Sequence, residues 1–91
     1  MLELKKTSQF RRDYKRIKKR GYDLALIADI IDQLLEEKTL APKHRDHALH
    51  GNYEGFRECH VLNDWLLIYA KDEHSLILTA SRTGTHADLL E

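Results

Sequence analysis

Ninety-one residues suit one compact domain, which buries only about 60 to 65% of its unfolded surface, and a second domain over 1–91 is not expected. Fifteen Lys/Arg balance fifteen Asp/Glu, yet residues 1–20 alone hold nine Lys/Arg against Glu3 and Asp13, a net of +7, offset by −4 over 21–42 and −3 over 43–91. The neutral total therefore excludes no partner, because a local basic stripe still attracts phosphate.

Cys59 is the only cysteine, so an intramolecular disulfide is impossible and a reducing compartment is expected. The opening residues lack the apolar core of a signal peptide. The longest apolar run, residues 65–70, is six residues, against the roughly 20 that span a bilayer. A soluble cytoplasmic protein with no membrane partner is the expectation.

In chain order, Leu2 and Leu4 alternate with Glu3 and Lys5 and predict a short strand with one buried face. Thr7 or Ser8 can cap a helix in which Phe10, Tyr14 and Ile17 form the apolar stripe, with Gly21 where a C-terminal stop belongs. Arg11, Arg12, Lys15, Lys18 and Lys19 fall largely off that stripe and make the helix basic. Asp23 can cap a second helix with a wide stripe of Ile27, Ile30, Ile31, Leu34 and Leu35, which Pro42 prevents from continuing. Residues 43–55 carry three histidines, two glycines and little periodicity, as a long loop or irregular edge does. Three strands follow over 56–62, 65–71 and 75–82, joined by N-D and K-D-E-H turns. Thr85 and Asp88 then have capping-box spacing for a short closing helix.

Six histidines, His44, His47, His50, His60, His74 and His86, raise a functional question, since histidine titrates near neutrality; most exposed histidines are nonetheless idle. His44, His47 and His50 have a spacing that a helix could turn toward zinc. Cys59 and His60, however, are adjacent on a strand and point to opposite faces, so no metal site is expected. The same alternation puts Cys59 and Val61 toward the helices and Glu58, His60 and Leu62 toward the open face. Trp65 is read first as a core residue and second as a base-stacking platform. Arg82 shares strand register with Leu76, Leu78 and Ala80, which look buried, so either the strand ends before it or a bulge re-aims it. His86, just after Thr85, would stand at a helix start, where free amides favour an anion such as phosphate.

In this order, D-H-A-L-H-G (46–51), G-F-R-E-C-H (55–60), D-W-L-L-I-Y (64–69) and S-R-T-G-T-H (81–86) resemble the successive signatures of the YafQ branch of the RelE/ParE toxin superfamily. The resemblance implies an α+β fold: an N-terminal strand and two helices packed on a twisted antiparallel sheet, closed by a short helix. It implies the toxin of a type II toxin–antitoxin pair, an endoribonuclease that cuts mRNA on the ribosome. A cognate antitoxin is the implied partner, with operator DNA reached only through the antitoxin complex. By motif position His47, His60, Asp64, Arg82 and His86 match the family's active-site residues and Trp65 lies beside them, while His44, His50 and His74 match none. Arg11, Arg12, Lys15, Lys18 and Lys19 become candidate RNA contacts. Leu90 stands where the family often has an aromatic residue.

The implied chemistry needs a base for the ribose 2′-hydroxyl, an acid for the 5′-oxygen and positive charge at the phosphorane. Histidines, with an ordinary pKa near 6.5, and the planar fork of Arg82 supply these, with Asp64 to orient a histidine or share base duty. No metal or other cofactor is required. Two rival readings remain open: a ParE-like DNA gyrase inhibitor, and a non-catalytic RNA- or ribosome-binding module that uses the basic helix alone.

Overall fold

Thr7 begins the first helix and ties it to the far end of the chain. Its hydroxyl accepts from the Phe10 amide at 3.0 Å and donates to the Ser81 carbonyl at 2.8 Å, so one side chain both caps α1 (Ser8–Lys19) and fixes it against the last strand. Asp23 caps α2 (Leu24–Leu35) in the predicted way, its carboxylate accepting from the Ala25 amide at 3.1 Å. Ile27, Ile30, Ile31 and Leu34 are buried beneath it. The computed structural model describes residues 1–90; Glu91 and the side chain of Leu90 lie outside the described set, and with them the expectation about Leu90 in place of an aromatic.

Five strands, β1 (Glu3–Lys6), β2 (His47–Ala48), β3 (Arg57–Leu62), β4 (Trp65–Asp72) and β5 (Ile77–Gly84), form one sheet in the order β1-β5-β4-β3-β2. A short α3 (His86–Leu90) follows β5. The sheet is mixed, which corrects the antiparallel expectation: β1 runs parallel to β5. The direction is set at both ends, because the Glu3 amide donates to Leu76 and the Thr7 amide to Ala80, so the two strands start and finish together.

The segment read as a long loop contains β2 and two single 3₁₀ turns, Pro42–His44 and Gly51–Tyr53. Leu76, expected in the last strand, instead lies in the turn before it with φ 59° and 54% exposure. Among the described residues no helix is long and apolar enough to cross a membrane.

Both faces of the sheet are apolar. Cys59, Val61, Trp65, Leu67, Tyr69, Leu78 and Ala80 face the helices, whereas Leu66 and Ile68 meet Leu89, Leu49, Tyr53 and Phe56 on the other side. Cys59 is completely buried, and burial, with Asp46 and Glu58 nearby, pushes its thiol up to about 12. It is packing, not a nucleophile.

Two bulges re-aim side chains. His60 opposes Leu66 while Leu62 opposes Trp65, which leaves Val61 as the extra residue in β3. Ile68 opposes Arg82 while Tyr69 opposes Ala80, which leaves Ser81 extra in β5. The second bulge resolves the parity conflict at Arg82: Leu78 and Ala80 stay in the helix-side core and Arg82 changes faces.

Candidate active site

Cross-strand pairing places the candidate side chains in two rows on the open face. His47 opposes Glu58, Glu58 opposes Ile68, and Ile68 opposes Arg82; one step along, His60 opposes Leu66 and Leu66 opposes Gly84. With strands about 4.8 Å apart and about 3.4 Å per residue, the Cα of His60 lies roughly 8 Å from that of His47 and roughly 12 Å from that of Arg82.

Asp64, in the N-D turn between β3 and β4, reaches α3. Its Oδ1 accepts from the His86 ring Nδ1 at 2.5 Å and from the His86 backbone amide at 3.0 Å. Those two bonds, the backbone one first, hold its carboxyl below the ordinary value of 3.8. His60 Nδ1 lies 3.2 Å from the Asn63 carbonyl, an acceptor, so the ring donates there. Both imidazoles thus anchor through Nδ1, and each Nε2 stays outside these bonds. Their centroids are 5.7 Å apart at a 53° tilt. His60 is only 8% exposed, yet among the described residues no fully buried side-chain N or O lacks a partner, so its Nε2 reaches solvent.

Arg82 is held from behind by a residue that the sequence reading left among the charges of the basic segment. Asp13, wholly buried on α1, accepts from Arg82 Nε at 2.8 Å and Nη2 at 3.3 Å, from the Thr83 amide at 3.1 Å, from Arg16 at 2.7 Å and from Gln9 at 3.0 Å. Burial raises the Asp13 carboxyl, but bonds from Arg82, Gln9 and the Thr83 amide outweigh it and leave the group below its ordinary value. The guanidinium spends its side fork on Asp13, which turns its end fork away from that carboxylate.

Arg16 continues the network to Asp88 at 3.2 Å, and Arg20 grips Asp88 at 2.7 and 3.1 Å. Asp88 and Thr85 form the predicted reciprocal cap, Thr85 amide to Asp88 at 2.9 Å and Asp88 amide to Thr85 at 3.1 Å. Gly84 is required beside it: a Cβ there would fall 2.8 Å from Asp88 Oδ2, and its φ is 153°.

Three expectations are corrected. The amides of Thr85 and His86 are already taken by Asp88 and Asp64, so the start of α3 holds protein carboxylates where a phosphate was expected. Trp65 is 1% exposed, wedged edge-on to Tyr22 with its indole donating to Thr83 at 2.9 Å, and therefore offers no face to a base. His44, matched to no role, is not idle: its Nδ1 donates to the His60 carbonyl at 2.7 Å and braces that strand.

His47 stands apart from the His60–His86 pair. Its Nδ1 donates to the Arg45 carbonyl at 2.6 Å and its Nε2 lies 3.6 Å from Glu58, a carboxylate that the sequence reading did not assign. Arg11, Arg12, Lys15, Lys18 and Lys19 are exposed as expected, but Arg16 and Arg20 of the same segment are turned onto Asp13 and Asp88.

A family model described as bacterial toxin of type II toxin-antitoxin system, YafQ, matches residues 2–91. The chain belongs to the YafQ family. It is 33% identical over 88 residues to the mRNA interferase toxin YafQ of Escherichia coli K12, covering 96% of this chain and 94% of that one. Among solved structures, it matches YafQ in the E. coli DinJ–YafQ complex with a TM-score of 0.91, 32% identity and full coverage of both chains. A metal-bound toxin from Helicobacter pylori matches with a TM-score of 0.92, 38% identity and coverage of 98% of this chain and 99% of that one. Three helices on a five-stranded mixed sheet are thus the YafQ fold. Among the described residues of this YafQ chain no three His, Cys, Asp or Glu side chains come together as a metal-holding group.

Asp13 and Asp88 also contribute to the acid limit of this YafQ chain. Both carboxyls titrate lower when folded, Asp13 through its Arg82, Gln9 and Thr83 bonds against burial, Asp88 chiefly through Arg20. Their stabilisation is complete above the unfolded carboxylate value near pH 4 and is lost as pH falls through the folded values. Thermal melts should show the midpoint dropping below pH 4, and Asp88→Asn should flatten that drop while lowering the plateau. An unchanged acid slope in Asp88→Asn would refute the assignment.

Proposed function

We propose that this chain is an endoribonuclease toxin that cleaves translated mRNA by metal-independent attack of a ribose 2′-hydroxyl on the adjacent phosphorus. The observation that carries the reading is the pair of imidazoles, His60 and His86, each anchored through Nδ1, 5.7 Å apart between centroids, on the same face as an arginine whose side fork is held by Asp13.

His86 is the general acid. The Asp64 carboxylate accepts from its Nδ1 and fixes the ring, and Nε2–H delivers the proton to the leaving 5′-oxygen. His60 takes the 2′-hydroxyl proton. His60 is preferred to His47 for this role, since the His47 Nε2 faces Glu58 and not the His60–His86 pair. His47 and Glu58 then hold the neighbouring nucleotide. Arg82 presents two N–H groups to the phosphate oxygens as charge develops. Proton transfer of this kind supplies roughly 10²- to 10⁴-fold per group.

The exposed Arg11, Arg12, Lys15, Lys18 and Lys19 give the electrostatic hold on ribosome and mRNA. A cognate antitoxin is the protein partner, as DinJ is for the E. coli YafQ with which this chain shares its fold, and operator DNA is contacted only through that complex.

The chemistry fixes the product ends. Attack by the 2′-oxygen leaves a cyclic phosphate on the 5′ fragment and a hydroxyl on the 3′ fragment. Purified protein added to ribosomes translating a reporter mRNA should therefore yield 5′-hydroxyl ends at in-frame codons, and any residual cutting of naked RNA should survive EDTA. Fragments with 5′-phosphate ends would overturn the mechanism, and intact RNA would leave only a binding module.

A further inference from the structure

An RNA substrate needs somewhere for its bases, and Trp65 is not that place, being 1% exposed in the helix-side core. On the opposite face two rings remain partly accessible. Leu49 donates its amide to the Phe56 carbonyl at 2.9 Å, which extends the β2–β3 pairing by one step. The Gly51–Tyr53 turn at the tip of that hairpin then folds back over Leu66, Ile68 and Leu89, carrying Tyr53 and Phe56 with it. Tyr53 and Phe56 meet edge-to-face, centroids 6.1 Å apart and planes at 85°, so the edge-on contact does not cover both faces of both rings. Tyr53 rests on the cluster built by Ile68, whose cross-strand neighbour is Arg82, and its hydroxyl lies beside the Arg82 guanidinium, behind Asp13 among the groups that keep that side chain charged.

From this placement we propose that Tyr53 is a nucleobase-stacking subsite, receiving the base of the nucleotide whose phosphate Arg82 holds. The proposal rests on the ribonuclease reading above. A phosphate on the end fork of Arg82 brings its own nucleoside within reach of the ring, and stacking accepts any base because every base has a π-face. The Tyr53 hydroxyl, facing Arg82, is not needed for stacking, whereas the ring is.

The test is a double-mutant cycle between protein and RNA. Wild type, Tyr53→Ala and Tyr53→Phe, each held well below its own melting midpoint, are titrated by fluorescence anisotropy against a short single-stranded RNA, 2′-O-methylated to prevent cleavage. The same titrations use a set of that RNA carrying one abasic nucleotide at successive positions. Tyr53→Ala should weaken the intact RNA about 5- to 150-fold, the span of one base–aromatic contact, and Tyr53→Phe less than about 2-fold. At one position only, the abasic RNA should cost wild type the same factor and cost Tyr53→Ala nothing further. A Tyr53→Ala penalty that persists at full size with every abasic RNA, or Tyr53→Phe as damaging as Tyr53→Ala, would overturn the subsite. The ribonuclease reading fails separately, through the absence of 5′-hydroxyl ends in the ribosome assay.

Discussion

His86→Ala should lower mRNA cleavage by about 10²- to 10⁴-fold, the range of one lost proton-transfer group, while moving the melting temperature by only a few degrees. The two readouts separate because the His86 and Asp64 side chains are 46% and 65% exposed, and an ion pair this exposed is screened by water and adds little to stability. His60→Ala should fall as far in activity and further in stability, since His60 is 8% exposed. Arg82→Ala should match His86→Ala in activity, and Arg82→Lys should recover only part, because lysine cannot hold Asp13 with one fork and phosphate with another. His50→Ala and His74→Ala, on exposed residues, serve as controls near wild type. Cleavage and growth arrest undiminished in His86→Ala would show the catalytic assignment to be wrong even though the family is right.

Periodicity carried the helices. Ile27, Ile30, Ile31 and Leu34 lie on one buried face, and a stripe of that width has few other solutions. Alternation also placed His60 opposite Cys59 across the sheet correctly. What periodicity cannot contain is an added residue. The bulges at Val61 and Ser81 shift register by one, and only the tertiary pairing of β3, β4 and β5 reveals where. The parallel pairing of β1 with β5 is a long-range fact of the same kind.

Of the candidate site, residue type and motif order made the proximity legible: the His60, Asp64 and His86 side chains lie together. Asp13 was missed although a signal existed. It lies three residues after Phe10 and four before Ile17, on the apolar stripe of α1, and a charge at a core position calls for a buried partner. Local charge counting hid it, because Asp13 was set against nine cations of the segment when its true partner, Arg82, is 69 residues away.

Asp13→Ala should be the most destabilising single change in the molecule outside the apolar core. It deletes the acceptor for Gln9, Arg16, Arg82 and the buried Thr83 amide, leaving an unsatisfied N–H and an arginine without its counter-charge. Removing one side of a buried pair costs about 3 to 5 kcal/mol. At roughly 4 to 8 °C per kcal/mol for a domain of this size, the melting temperature should fall by more than about 12 °C. Activity measured well below that midpoint then separates two roles. If Asp13 merely restrains the charge of Arg82, freeing the guanidinium should strengthen RNA binding and preserve kcat. If Asp13 aims the end fork, as the geometry of the two bonds implies, KM should hold or improve while kcat drops at least 10-fold, because a misdirected donor still attracts phosphate but no longer meets the charge that develops at phosphorus. Asp13→Asn, which keeps one acceptor oxygen, should fall between wild type and Asp13→Ala in both measurements. Destabilisation below about 1 kcal/mol in urea melts, or an unchanged kcat, would remove Asp13 from the site.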